Sequence, residues 1–177
     1  MTERDARAAS VIETRRLALR RLTPDDAEFI RELLNDADFL RFVGDRGVRT
    51  ADDARRYIAD GPVASYDRHG FGLWLVERTE DRCAIGICGL LRRDSLPDAD
   101  IGFAFLPPFR ASGYGFESAA AVLAHGLGPL GLGRVLAIVN PENAGSIRLL
   151  EKLGMKFERM VRLADTSPEI KLFTTGA

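Results

Sequence analysis

The stretch Asp100–Ser118, DIGFAFLPPFRASGYGFES, concentrates the residues whose types and spacing suggest chemistry. Its loop, Arg110-Ala-Ser-Gly-Tyr-Gly115, runs directly into a helix. The first N–H groups of a helix have no intrahelical partner and carry the positive end of its dipole, so they favour an anion. Glycines at 113 and 115 let backbone approach that anion with no Cβ in the way. The spacing is that of a pyrophosphate cradle, and equally that of an ordinary strand–turn–helix corner. Two other phosphate loops fit worse. There is no Gly-Lys-Ser/Thr, as a P-loop requires, and Ser118 stands where a dinucleotide fingerprint wants its third glycine. Further along, Asn140-Pro-Glu-Asn143-Ala-Gly-Ser146 opens a second helix. Asn143 reads as its N-cap, accepting from the N–H near Ser146. Glu117 lies in the first turn of the central helix, where an acid favours the dipole, and reads as structural.

These residues need elements to position them. Ile101, Phe103 and Phe105 alternate with Gly102, Ala104 and Leu106, a strand apolar on both faces, which Pro107 and Pro108 stop. The helix after the loop carries Phe116, Ala119, Ala120, Leu123 and Leu127 on one stripe. Upstream, Thr14–Leu22 reads as a half-buried first strand. Thr23-Pro-Asp-Asp26 and Thr50-Ala-Asp-Asp53 are helix starts. Phe29, Ile30, Leu33 and Leu34 share a face of the first helix, and Ala54, Tyr57 and Ile58 face inward on the second. Between them, Phe39, Leu40, Phe42 and Val43 are expected to pack. Phe71–Arg78, Ala84–Leu91 and the central strand read as an antiparallel meander. Arg134–Val139 is a buried strand, parallel to the central one across the helix. Ile147, Leu150 and Leu153 mark the next helix, which Gly154 ends. Phe157–Leu163 and Ile170–Thr174 form a closing hairpin. His69 and His125 are expected in a loop and on a helix surface. Trp74 is expected in the core; Tyr66 is a candidate for lining an acceptor pocket.

The 177 residues suit one domain, 11–177, behind a flexible tail, 1–10. With 46% hydrophobic and 29% charged residues the composition is that of an ordinary globular protein. A net charge of −1 gives no global field toward nucleic acid or anionic lipid. Cys83 and Cys88 fall at an odd spacing in one expected strand, on opposite faces, which argues against a disulfide or shared metal and suits a reducing cytoplasm. The charged first residues lack the apolar core of a signal peptide, and no apolar run is long enough to span a membrane.

Arg110-x-x-Gly113-x-Gly115 after a strand resembles the acyl-CoA-binding motif of the GNAT superfamily of N-acetyltransferases. The stretch from Asn140 to Met155 resembles that superfamily's second signature, most closely in the branch of ribosomal-protein N-terminal (RimJ/RimL-like) acetyltransferases. The resemblance covers roughly Glu13 to Phe173. It implies an α/β (α+β) fold: a mixed, largely antiparallel sheet of six to seven strands flanked by about four helices. It implies acetyl-CoA as co-substrate, no metal, and direct acetyl transfer to a primary amine. The sequence offers no paired nucleophile and base for a covalent intermediate. The acyl carrier would lie between Phe103–Leu106 and Ile138–Asn140, with backbone N–H groups near Phe105 holding its arm. N–H groups from Ser112, Gly113, Tyr114, Gly115 and Phe116 would hold the pyrophosphate. Arg110 would add charge there, or be simply solvated. Asn140 and Asn143 would contact the cofactor. Many relatives place a tyrosine acid where this chain has Leu150; in the ribosomal-protein branch a serine matching Ser146 is held to stabilise the leaving thiolate. Asp100 and Glu158 match glutamate bases of different relatives, the alternatives being a loop acid and a solvated strand residue. The Phe39–Arg49 segment would carry specificity. The acceptor is a protein N-terminus, an amino acid, a polyamine or another amine. Resemblance alone admits a homodimer. A non-catalytic acyl-CoA-binding regulatory module is the alternative, kept open by Leu150 and the uncertain base.

Overall fold

The computed structural model describes residues 8–176, so most of the expected tail lies outside the described residues. In chain order the strands are β1 (Ser10–Glu13), β2 (Leu17–Arg20), β3 (Leu73–Arg78), β4 (Ala84–Leu91), β5 (Asp100–Phe105), β6 (Leu136–Val139), β7 (Lys156–Val161) and β8 (Ile170–Thr174). They form one eight-stranded sheet in the order β1-β2-β3-β4-β5-β6-β8-β7. Every pairing is antiparallel except β5 with β6. The additional strand arises early. A turn closed by the Thr14 N–H on the Leu17 carbonyl (2.9 Å) splits the expected first strand into β1 and β2. All four positions of β2 are buried rather than alternating, because helices cover both faces of the sheet.

The helices are α1 (Ala27–Leu34), α2 (Ala37–Phe42), α3 (Ala51–Ile58), α4 (Ala64–His69), α5 (Tyr114–Leu127) and α6 (Ala144–Lys152). A π-turn, Ala59–Val63, makes α3 and α4 continuous despite Pro62, so among the described residues five helical bodies flank the sheet. The start signals act as expected. The Thr23 N–H donates to Asp26 (2.8 Å), and Thr50 and Asp53 cap each other reciprocally (3.0 and 3.1 Å). Asp36 caps α2, which the apolar pattern did not announce. Of the residues expected to pack there, Phe39 is buried, but Leu40 and Val43 are exposed.

One core lies between α5 and the sheet, with Leu19, Trp74, Leu90, Ile101 and Phe105. A second lies under α1 and α3, with Ile30, Leu33, Ile58, Leu75, Ile87 and Leu106, and a smaller third gathers Leu96, Leu136, Val161 and Leu172. The buried stripe of α5 is Ser118, Ala119, Val122, Leu123 and Gly126. It is rotated from the expected one, so Leu127 faces solvent and Phe116 lies under the Lys152 ammonium, 4.4 Å away. His125 is not simply on the surface; it meets Trp74 edge-on at 5.6 Å. The Tyr66 hydroxyl accepts from the Leu22 N–H (3.1 Å) and donates to the Leu73 carbonyl, so it ties the core and does not line the cavity described below.

Candidate active site

β5 and β6 meet in register at a single parallel pair, Asp100 with Leu136. Three bonds fix which way β5 presents its polar groups. The Leu106 N–H is taken by Ile85 on the β4 side (3.0 Å). The Ala99 carbonyl accepts from Leu136 on the β6 side (2.9 Å). The Phe105 carbonyl is free of β4 and accepts from Arg110 Nε (2.9 Å). Strand groups alternate in direction, so the N–H groups of Phe103 and Phe105 point into the gap between β5 and β6. On the far side the Thr175 N–H donates to Val135 (3.0 Å), which turns Ile138 and Asn140 toward the same gap. A row of backbone donors beside an open splay accepts an extended chain much as a missing strand would.

A cavity of about 600 Å³ opens from this splay. β5 lines it with Asp100, Gly102, Phe103 and Ala104, β6 and its following loop with Ile138–Asn140, and α6 with Asn143, Ser146 and Leu150. Phe39 and Phe42 of α2 and Tyr57 of α3 close the side opposite α6. Gly102 and Ala104 are small residues on the strand face turned toward α3, and their size leaves the space open.

Asp100 is the buried first residue of β5. Burial pushes its carboxyl up to about 6, although Arg93 opposes this by holding both carboxylate oxygens with Nε at 3.1 and 3.2 Å. Asn143 caps α6, its Oδ1 accepting from the Ser146 N–H at 3.2 Å. Asn140 Oδ1 accepts from the Glu142 N–H at 2.9 Å and shapes the turn before α6. The Ser146 hydroxyl lines the cavity and makes no hydrogen bond among the described residues. Leu150, buried against the same space, offers no proton.

The loop before α5 lies outside the cavity. Gly113 sits at its N-cap with φ of 83°, a left-handed conformation that favours glycine. The first intrahelical bond runs from the Glu117 N–H to the Gly113 carbonyl at 3.0 Å, leaving the N–H groups of Tyr114, Gly115 and Phe116 without helical partners. Arg16 crosses this end. It donates to the Ser112 carbonyl (3.0 Å) and to Glu117 (2.7 Å), with its guanidinium 4.4 Å from the centre of the Tyr114 ring. Glu117 also accepts from Thr14 (2.7 Å), a structural role as expected. The cation at this helix end is therefore Arg16, paired there with Glu117 and supplied from far upstream, where the sequence carried no local signal.

Several expected roles change. Arg110 keeps about a third of its side chain exposed but is not left to solvent; it folds back onto the Phe105 carbonyl and pairs with Asp36 (2.6 Å) and Asp38 (2.9 Å), so it is not aimed at the loop before α5. Leu106 has spent its N–H on β4 and its side chain is core. A Cβ on Gly115 would meet Leu149 Cδ1 at 2.8 Å, so that glycine lets α5 approach α6. Glu158 sits exposed at a bulge of β7 and faces Arg134 (3.6 Å); it does not line the cavity with Asp100 and Ser146. Arg93, Arg41 and Arg46 line the cavity without having been singled out, and Tyr57, expected only to face inward, lines it too. Only the marking of the Phe39–Arg49 segment for specificity came near Arg41 and Arg46.

Comparison with known proteins shows the family and the fold. The chain is 29% identical over 153 residues, spanning 86% of each chain, to a Bacillus subtilis protein named uncharacterized N-acetyltransferase YoaA. The crystal structure of an acetyltransferase from Agrobacterium tumefaciens superposes with a TM-score of 0.81 at 20% identity over 100% of both chains. RimL, a ribosomal L7/L12 alpha-N-protein acetyltransferase solved in complex with coenzyme A, also gives 0.81, at 14% identity over 94% of this chain and 97% of that one. The family model described as acetyltransferase (GNAT) domain matches residues 16–156, and with the splayed strands and capped cradle on the same stretch, the chain belongs to the GNAT family of acetyltransferases, enzymes that transfer acetyl from acetyl-CoA.

Proposed function

We propose that this protein N-acetylates a primary amine by direct transfer from acetyl-CoA, with the amine entering the cavity from the α2–α3 side. The observation that carries this reading is the divergence of β5 and β6 beyond Asp100–Leu136, opening onto a cavity that holds a buried acid and an unpartnered serine hydroxyl. Acetyl-CoA supplies the activated carbonyl. The N–H groups of Phe103 and Phe105 are positioned to pair with its pantetheine arm and to donate to the thioester oxygen as charge develops there. The three free N–H groups of α5, with Arg16 beside them, suit the pyrophosphate.

The chemistry then divides between two side chains. Asp100, ionised above a pKa of about 6, accepts a proton from the acceptor amine, directly or through a water. Arg93 holds the carboxylate in place. The neutral amine attacks the thioester carbon, the new C–N bond forms as the C–S bond breaks, sulfur leaves as thiolate, and the proton shed by the new amide nitrogen passes to that sulfur through a water. The Ser146 hydroxyl, free to turn, donates to that sulfur, a role Leu150 cannot fill. Glu158 has no part in this scheme, since its carboxylate lies outside the cavity.

The test is thiol release from acetyl-CoA by the purified protein, against amino acids, peptides, polyamines and aminoglycosides. Release with one class establishes the enzyme and its acceptor together. Coenzyme A binding without release from any amine would replace this reading with a regulatory acyl-CoA-binding module.

A further inference from the structure

The acceptor end of the cavity has a charge of its own. Its lining holds the guanidinium groups of Arg41, Arg46 and Arg93 against the single carboxylate of Asp100. Arg93 is spent on that carboxylate. The other two are not matched in the same way. Arg41 lies over the Phe42 ring at 4.7 Å and reaches Glu142 only at 3.8 Å, both side chains being largely exposed. Asp45, the acid nearest Arg46 in sequence, is taken by Arg49 at 2.5 Å. Among the described residues Arg46 makes no ion pair. The charges of Arg46 and Arg93 are felt at Tyr57, where they favour ionisation against a stronger effect of burial; positive charge therefore extends to the α3 wall. The remaining lining residues named here, Tyr57, Phe39 and Phe42, are uncharged.

A polyamine or aminoglycoside would bring further positive charge into this surplus. An amine that carries a carboxylate would meet two guanidinium groups able to bind it through paired N–H donors. The geometry points to an acceptor whose amine is accompanied by a carboxylate, read by Arg41 and Arg46 while the amine lies toward Asp100. This rests on the N-acetyltransferase reading for the fate of the amine, but the charge preference is a property of the cavity itself. The carboxylate belongs either to a free amino acid or to an acidic side chain near a peptide N-terminus.

Binding and turnover separate the two claims. Calorimetry with free coenzyme A present takes three pairs of probes: amino acids and their carboxamides, hexapeptides with acidic or basic residues after the first, and spermidine against glutamate. Thiol release is followed on the same probes. The expected result is a preference for the carboxylate-bearing member of roughly tenfold or more, in the amino-acid arm or in the peptide arm. Arg46→Gln and Arg41→Gln should each reduce that ratio while coenzyme A affinity stays the same. Carboxylate-selective binding without thiol release would uphold the inference and refute the catalytic reading. Release with spermidine or carboxamides at equal efficiency would do the reverse. Loss of coenzyme A affinity in both arginine variants, or no binding of any carboxylate probe, would overturn the inference.

Discussion

Asp100 is a carboxylate in a place that resists charge, and its protonation can be followed in two independent ways. Activity first: kcat/KM should rise with pH through an apparent value near 6, because only the ionised carboxylate accepts the amine's proton. Asp100→Asn should abolish that limb and lower kcat/KM by about 10²–10⁴-fold. A variant that kept both the limb and the rate would assign the base elsewhere. Stability gives the second view. The folded-state pKa lies above the ordinary carboxylate value of 3.8, so the native state holds a proton that the unfolded chain has lost between those values. The contribution of Asp100 is therefore complete below that window and declines as pH rises through about 6. Wild type should lose stability relative to Asp100→Asn over that interval, as denaturant titration at several pH values would show. Ser146 makes a different prediction. Ser146→Ala removes a donor to the departing sulfur while its N–H keeps the Asn143 cap. kcat should fall roughly tenfold to a hundredfold with coenzyme A affinity intact. Equal turnover would take Ser146 out of the mechanism.

At the scale of elements, Arg110 joins the end of β5 to the start of α2. Its guanidinium spans the Phe105 carbonyl, Asp36 and Asp38, and Asp36 in turn accepts from the N–H groups of Asp38 and Phe39. Replacing it with methionine leaves the largely buried Asp36 without its cation, at a cost of about 1.5–3 kcal/mol. Since α2 forms a wall of the cavity, Arg110→Met should raise the acceptor KM and lower Tm while leaving coenzyme A affinity nearly unchanged. A selective loss of coenzyme A affinity would return Arg110 to the phosphate loop. This residue also marks the limit of what could be read without coordinates. Caps and punctuation are local, so Thr23, Thr50, Gly113, Asn143 and Gly154 announced their elements correctly. The order of elements around the central strand was equally legible, because two proline stops and a glycine loop bound it. Arg110 finds partners more than seventy residues upstream, Arg16 reaches the cradle from the first hairpin, and a bulge sets Glu158 outward. None of these leaves a periodic trace. α2 escaped notice because it is short and, of its apolar residues, Phe39 alone is buried.

The whole molecule is a sheet divided into two parts at one seam. β1 to β5 form a continuous antiparallel unit, β6 to β8 a second, and a single parallel pair of residues joins them. The helices α5 and α6 bridge the seam from one side, and Gly115 allows them close contact. A ligand lying in the splay touches both parts and so holds them together. By mass action, coenzyme A at about a hundred times its Kd should stabilise the fold by about 2.7 kcal/mol, which for a chain of this size corresponds to a rise in Tm of roughly 5–10 °C. Gly113→Asp isolates the cradle's share of that gain. Aspartate tolerates the left-handed backbone better than most residues but is still strained there, and a Cβ at this position meets Arg16 Nη2 at 3.1 Å, on a side chain held by Ser112 and Glu117. The unliganded variant should therefore fold but melt a few degrees below the wild type. Its carboxylate would compete with a phosphate for the free N–H groups of α5 and for Arg16, so the rise in Tm should vanish. A variant that did not fold would make the glycine a folding requirement, and one that kept the full ligand-dependent rise would place the phosphates elsewhere than at this helix.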